Sequence, residues 1–252
     1  MTQSHETIVQ NQFGPQASAY VTSAVHAAGP DLDRIAAAAA EVRPGHALDL
    51  GAGGGHVAYR LAPHAGRVTA SDLSADMIAA IRAHAEGQGL SNIDGAVAPA
   101  EALPFADGAY DFLACRFSAH HWRDWEGGLR EARRVLAPGA RAVFVDVVAP
   151  EQAQADVHLQ AVELLRDPSH VRDYRAEEWI AALGRAGFSV QAMASHRLRM
   201  DFPVWTARMR TPDVHVAAIR SLQAMASADV VRHFELEDDG SFTIDVALFE
   251  VG

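Results

Sequence analysis

Residues 47–55, A-L-D-L-G-A-G-G-G, constrain the fold more than any other part of the chain. An apolar run carrying one acid, Asp49, stops at a glycine-rich turn, and a helical pattern begins at His56. A turn without side chains lets a ligand approach the backbone, and the free N–H groups of the following helix face it. The dinucleotide pattern G-x-G-x-x-G would require Gly51, Gly53 and a third glycine at position 56, where the chain has His56. Nor does that pattern require an acid inside the strand. An acid two residues before the first glycine suits a cofactor with a positively charged amino-acid end, which favours S-adenosylmethionine over NAD.

The chain has 252 residues, 49 % hydrophobic and 21 % charged, enough for one large α/β domain with a packed core. Its net charge of −11 argues against a sequence-independent grip on nucleic acid, which needs many phosphate-neutralising cations. Arg197, Arg199, Arg208 and Arg210 lie close together and read as a solvated face. All 21 basic side chains are Arg, so lysine Schiff-base and P-loop chemistry are excluded. The single cysteine, Cys115, permits neither an intrachain disulfide nor a four-cysteine zinc site, and its apolar strand marks it as core. The start M-T-Q-S-H-E lacks the basic and apolar regions of a signal peptide, and no apolar run reaches transmembrane length. A cytoplasmic protein is expected, with no membrane span, and no feature indicates an oligomer.

Strand-like runs at 47–50, 67–71, 93–98, 112–116 and 142–148 alternate with helical stretches, the signature of a parallel sheet covered on both faces. Helices are expected at 56–62, from Ser74 to Gly87 or Gly89, and at 125–136. Ser74 is the expected N-cap, with Met77, Ile78 and Ile81 on the buried face. Pro138-Gly139 marks a turn into the fifth strand. Further helices at 152–165 and 176–186 precede strands at 189–198 and 242–251. The residues between these two strands are too many for a hairpin loop and include a helical run, 214–225, so they read as an insertion over the sheet. Residues 2–40 are expected to be mostly helical. The expected organisation is a single domain over 1–252. It comprises an N-terminal helical cover (1–40), a cofactor-binding core (41–150) and substrate-side helices and strands (151–252), with a lid insertion at 199–240.

Four ordered blocks resemble the class I S-adenosylmethionine-dependent methyltransferases, in particular the ubiquinone/menaquinone C-methyltransferase-like family. They are L-D-L-G-A-G-G-G (48–55), S-D-L-S (71–74), A-E-A-L-P-F-A-D-G-A-Y-D-F (100–112) and R-R-V-L-A-P-G-A (133–140). The resemblance implies an α/β fold: a doubly wound, Rossmann-like sheet of seven strands, mostly parallel with the last antiparallel, helices on both faces and a small helical lid. It also implies residue roles. Gly51, Ala52, Gly53 and Gly55 would let the backbone approach the methionine portion of the cofactor, and Asp49 would face its ammonium group or cap the turn. Asp72 would accept both ribose hydroxyls, with Leu73 and Met77 beside the adenine. Many relatives carry Asp before A-E in the third block; here Pro99 offers neither a side-chain acceptor nor an N–H. Adenine recognition is then left to the Ala100 amide and apolar packing. Glu101 is a candidate link to the glycine loop. Phe13 and Tyr20, in F-G-P-Q-A-S-A-Y, resemble a segment that closes over the cofactor and are placed to meet its sulfonium.

Methyl transfer asks the protein for alignment, exclusion of water and often removal of one proton. The site is expected just after the fourth strand, where open α/β sheets bind ligands. There the chain reads C-R-F-S-A-H-H-W, residues 115–122. Arg116 and Phe117 would line the cofactor, and His120 and His121 are the general-base candidates. Adjacent histidines, even with Asp124, rarely converge on one ion without further ligands, so no metal is expected. His170, Arg172 and Tyr174, in D-P-S-H-V-R-D-Y, are candidate substrate contacts. The absence of D/N-P-P-Y/F after the fourth strand, and of a second cysteine, ranks nucleic-acid methylation low. The expected acceptor is a small apolar or aromatic molecule, methylated on carbon or oxygen. A non-catalytic cofactor-binding protein and an NAD-linked oxidoreductase are the alternatives.

Overall fold

The computed structural model describes residues 3–17, 21 and 27–252. Strand β1 (His46–Leu50) lies inside a seven-stranded sheet, third from one edge. The others are β2 (Arg67–Asp72), β3 (Ile93–Val97), β4 (Tyr110–Arg116), β5 (Leu136–Val147), β6 (Val190–Met200) and β7 (Phe242–Val251). Their order is β3-β2-β1-β4-β5-β7-β6; β1 to β5 pair in parallel, and β7 runs antiparallel to both β5 and β6. The strand order reverses direction between β1 and β4, so a crevice opens beyond the carboxyl ends of those two strands.

The alternation of side chains along a strand divides the core into two layers. Leu48, Leu113 and Phe144 face one side, against helices α5 (Trp125–Val135) and α7 (Ala176–Arg185). Ala47, Phe112 and Val143 face the other, against α2 (Pro30–Val42), α3 (His56–Leu61) and α4 (Ala75–Gly87). Leu48, Phe112 and Phe144 are completely buried, each contributing about 1.5–3 kcal/mol. Ser74 caps α4 as expected, its Oγ accepting from Met77 N at 3.3 Å, and Met77, Ile78 and Ile81 are buried. Cys115 lies in the first layer with only 1 % of its surface exposed.

Two expectations change. Pro138-Gly139 forms no separate turn before β5. The pairing jumps from Tyr110–Leu136 to Phe112–Arg141, so the dipeptide bulges out of a longer strand, with Gly139 at φ 77°. The insertion between β6 and β7 holds three helices rather than one: α8 (Phe202–Arg208), α9 (Asp213–Ala224) and α10 (Ala228–Phe234). The two extra helices are short and side-chain capped, by Asp201 on Val204 N and by Ser227 on Val230 N. With α6 (Ala153–Arg166) the insertion forms a third apolar cluster that includes Leu159, Trp205, Ile219 and Phe234. Helix α1 (His5–Phe13) buries no residue of its own and lies across the crevice. No helix among the described residues is long and apolar enough to cross a membrane.

Candidate active site

The three alternate glycines of the β1–α3 turn are all left-handed, with φ of 71°, 50° and 79° at Gly51, Gly53 and Gly55, but their surroundings differ. A Cβ on Gly51 would collide with Ser118, just beyond β4. On Gly55 it would come within 2.9 Å of the Tyr59 ring and Ile81. On Gly53 it would meet no protein atom within 4 Å. Only at Gly53 does the missing side chain leave the backbone open to a ligand. Gly55 serves packing instead and does not line the cavity, contrary to the sequence expectation.

Two carboxylates hold this turn. Asp72, at the end of β2, accepts from Gly53 N through Oδ2 and from Ser74 N through Oδ1, each at 2.8 Å. Burial raises its pKa while these backbone donors oppose the shift. Asp49 is 1 % exposed and accepts from Ala58 N at 2.9 Å, in the first turn of α3. Burial pushes its pKa up to about 7, against the Ala58 bond and with help from the Asp72 charge.

Above the turn lies a cavity of about 420 Å³. Asp49, Gly51, Ala52, Gly53, Asp72, Leu73, Met77, Ala100, Glu101, Arg116 and Phe117 line it, as does Phe13 from α1. Pro99 stands in its wall between Ala98 and Ala100. Helix α1 is tied over the opening: Gln10 Nε2 donates to Leu73 O at 3.2 Å, and His5 Nε2 donates to His121 O at 2.9 Å. Gln12 Nε2 reaches Met209 O of the insertion at 2.9 Å. A backbone approach at Gly53, carboxylates at Asp49 and Asp72, and apolar walls at Leu73 and Met77 match the chemistry of S-adenosylmethionine. Tyr20 lies outside the described residues.

A second cavity of about 280 Å³ shares Phe13, Arg116, Phe117 and His121 with the first. Its other walls include His120, Asp173, Val147, Leu198 and, from the insertion, Trp205 and Met209. Phe117 sits at φ 52°, a costly conformation for a bulky residue, held by its N–H on Val145 O at 2.9 Å. Arg116 is held by a buried ion pair with Asp31 of α2.

The adjacent histidines have opposite characters. His120 Nδ1 donates to Asp146 Oδ1 at 2.6 Å. Burial alone would lower its pKa, but the charge and hydrogen bond of Asp146, with Asp173 and Glu163 nearby, raise it to about 9. His121 is lowered to about 4 by burial and by the His120 charge. His121 Nδ1 faces Ser169 O at 3.2 Å and Ser169 Oγ at 3.3 Å, and Ser169 Oγ donates to Asp167 Oδ1 at 2.6 Å. A carbonyl partner requires the proton on Nδ1, which leaves Nε2 as the unprotonated nitrogen. His120 lines only the second of the two cavities; His121 lines both.

The segment 167–174, separate in the sequence, belongs to the same site. Val171 N and Arg172 N both donate to His120 O, at 2.9 and 3.2 Å. His170 is buried, with its ring 5.9 Å from that of His120. None of the three expected substrate contacts lines either cavity: His170 Nε2 donates to Gln160 Oε1 at 3.0 Å, Arg172 pairs with Asp156 at 3.0 Å, and Tyr174 stacks on Trp125 at 3.6 Å. Glu101 lines the cavity but accepts from Asp124 N at 3.3 Å, not from the glycine loop. Asp124 caps α5 through Gly127 N at 2.9 Å and is no partner of the histidines. Sequence reasoning missed Ser118 and Trp122, which line the cavity and are joined Nε1 to Oγ at 3.2 Å. Their position in the 115–122 block was the available signal.

Residues 48–144 match the family described as "Methyltransferase domain". Protein YafE of Escherichia coli K12 is 42 % identical over 196 residues, covering 78 % of this chain and 95 % of that one. The methyltransferase YcgJ of Bacillus subtilis is 33 % identical over 81 % of this chain and 80 % of its own length. The crystal structure of YcgJ superposes with a TM-score of 0.84, covering 88 % of this chain and 97 % of that chain. A demethylmenaquinone methyltransferase of Thermus thermophilus is 39 % identical over a shorter stretch, 44 % of this chain and 51 % of its own. These matches set aside the NAD-linked and non-catalytic readings. The chain belongs to the class I S-adenosylmethionine-dependent methyltransferases, in the ubiquinone/menaquinone C-methyltransferase-like family.

Proposed function

We propose that this methyltransferase acts on a small apolar or aromatic molecule, at carbon or oxygen, with His121 as general base. The observation that carries this reading is the junction of the two cavities at Phe13, Arg116, Phe117 and His121. A donor in one cavity and an acceptor in the other would meet beside His121. S-adenosylmethionine supplies an electrophilic methyl group on a sulfonium. In this reading Asp72 accepts the ribose hydroxyls, Asp49 faces the ammonium group, and Leu73 and Met77 pack on the adenine near the Ala100 amide. Residues 41–150 hold the cofactor, and 199–240 close the acceptor cavity through Trp205 and Met209.

The division of labour between the histidines follows from their hydrogen bonds. His120 is engaged by Asp146, whereas His121 presents Nε2 without its proton. His121 Nε2 takes the proton that the acceptor atom gives up as the methyl arrives, and Ser169 and Asp167 hold the ring in that tautomer. The second cavity is mostly walled by apolar groups such as Phe117, Val147, Leu198 and Ile244, which supports an apolar acceptor. That the Thermus thermophilus relative is a demethylmenaquinone methyltransferase supports an aromatic or quinol ring.

The test is release of S-adenosylhomocysteine when the protein is incubated with S-adenosylmethionine and a panel of quinols, phenols and non-aromatic amines. Turnover confined to the ring compounds is the expected result; turnover of amines alone would overturn the acceptor class. On an accepted substrate, His121→Ala is expected to lower kcat about 10²–10⁴-fold with little change in S-adenosylhomocysteine affinity. Unchanged kcat would mean catalysis by positioning alone.

A further inference from the structure

Behind the histidine pair, side chains from three separate segments meet: His120 after β4, Asp146 at the end of β5, and Asp173 before α7. One donor atom from each lies within 4.8 Å of the other two. One imidazole and two carboxylates form a donor set that suits divalent transition metals, and three protein ligands leave positions open for water or a ligand. His120 and Asp173 both line the second cavity, which gives an ion a way in.

A cluster of acids alone would carry no such meaning, because neighbouring bonds could satisfy every oxygen. Here they do not. Asp173, 2 % exposed, has its Oδ2 buried with no hydrogen-bond partner. Asp167 Oδ2 and His170 Nδ1, on the same segment, are also buried without partners. His170 Nε2 must donate to Gln160 Oε1, 3.0 Å away, because that oxygen already accepts from Asp173 N; its Nδ1 is therefore a bare lone pair. The buried orphans of this segment thus present lone pairs, which a bound cation would satisfy. Orphaned buried acceptors cost free energy and call for an explanation such as an ion.

We propose that His120, Asp146 and Asp173 bind one divalent transition-metal ion at the inner wall of the second cavity. The ion takes the place now held by the proton between His120 and Asp146. The remaining coordination positions face the cavity, where an oxygen of a bound molecule can complete the shell. The site escapes sequence reading because its ligands are 26 and 27 residues apart (146 − 120 and 173 − 146), without a metal-ligand spacing.

Chelator-treated, dialysed protein is titrated with Co²⁺, followed by visible absorption, and with Mn²⁺, followed by the electron paramagnetic resonance of the free ion. Saturable binding of one equivalent per chain is expected. Asp173→Asn and His120→Gln are each expected to weaken it at least tenfold, while Asp94→Asn, on the far surface, leaves it unchanged. Retained S-adenosylhomocysteine binding shows that a variant is folded. Independently of any variant, Mn²⁺ should broaden the ring resonances of His120 and His170 in the wild-type protein and spare those of His64 and His84. Absence of saturable binding up to millimolar metal overturns the proposal. So does binding that survives both ligand substitutions, or broadening that spares His120. None of these readouts depends on the methyl acceptor, so failure here leaves the reading of methyl transfer intact.

Discussion

The loops that follow β1 and β4 interlock at Gly51 and Ser118: the space that a Cβ on Gly51 would need is filled by the Ser118 side chain. Ser118 is fixed in turn by Trp122 Nε1. Gly51→Ala therefore combines left-handed strain of about 1–2 kcal/mol with overpacking of about 1–3 kcal/mol. Thermal unfolding should show a drop in Tm of several degrees or more. Gly53→Ala carries the strain without the collision. It should unfold closer to the wild type yet lose S-adenosylhomocysteine affinity, because its methyl group enters the space open to the ligand. Equal thermal losses in the two variants would refute the distinction.

Asp72 joins the turn and α4 by accepting from Gly53 N and Ser74 N. If it also accepts the ribose hydroxyls, Asp72→Ala removes charge-assisted bonds of about 1.5–3 kcal/mol each. Calorimetric titration should then give a Kd for S-adenosylhomocysteine at least tenfold weaker. Ser74→Ala, which removes the cap on Met77 N but not the carboxylate, separates turn stability from ligand contact and should leave Kd nearly unchanged.

The Asp31–Arg116 pair crosses from α2 to the end of β4, with side chains 2 % and 6 % exposed. Removing one member of a buried pair takes from the other its counter-charge, at a cost of about 3–5 kcal/mol. Asp31→Leu should therefore lower the denaturation midpoint strongly, and the Asp31→Leu/Arg116→Met double variant should recover much of the loss. Additive losses in urea titrations would show that the pair is not the unit of stability.

Most of the sheet is legible in the sequence because strands such as β1, β2 and β4 are short apolar runs followed by a turn signal, and the expected bounds of β7 match the observed ones. The first cavity is legible because many of its residues sit in contiguous blocks at the ends of β1, β2 and β4. What escapes reading is whatever depends on distant segments meeting. Periodicity places Asp146 inside a strand but cannot bring it to His120. Nothing local in 167–174 shows that Ser169 turns to His121 while Tyr174 turns to Trp125. Gly55 reads as a ligand contact because spacing alone cannot distinguish a glycine that faces a cavity from one that faces a tyrosine.

Asp49 gives the pH dependence. Its carboxyl is raised from 3.8 to about 7 by burial, with Asp72 adding to the shift and Arg116 and the Ala58 N–H opposing it; Tyr59 is raised in turn by burial and by the Asp49 charge. Because the folded value lies above the unfolded one, the native state holds the proton more tightly between these limits. The contribution of Asp49 to stability is thus complete below about pH 4 and is lost as pH rises through about 7. Asp49→Asn keeps the bond from Ala58 N, cannot ionise, and should be stabilised relative to wild type most at pH 8. Ligand binding should show the opposite slope if Asp49 faces the ammonium group. Below pH 7 the wild type must first release a proton, so its affinity for S-adenosylhomocysteine should fall by up to about tenfold per pH unit. At higher pH, once the α-amino group of the ligand loses its charge, affinity should fall again. Calorimetry from pH 5.5 to 9 on wild type and Asp49→Asn decides the matter: the acid limb must be present in the first and absent in the second. An identical acid limb in both would remove Asp49 from the ammonium contact and leave it as the cap of α3 alone.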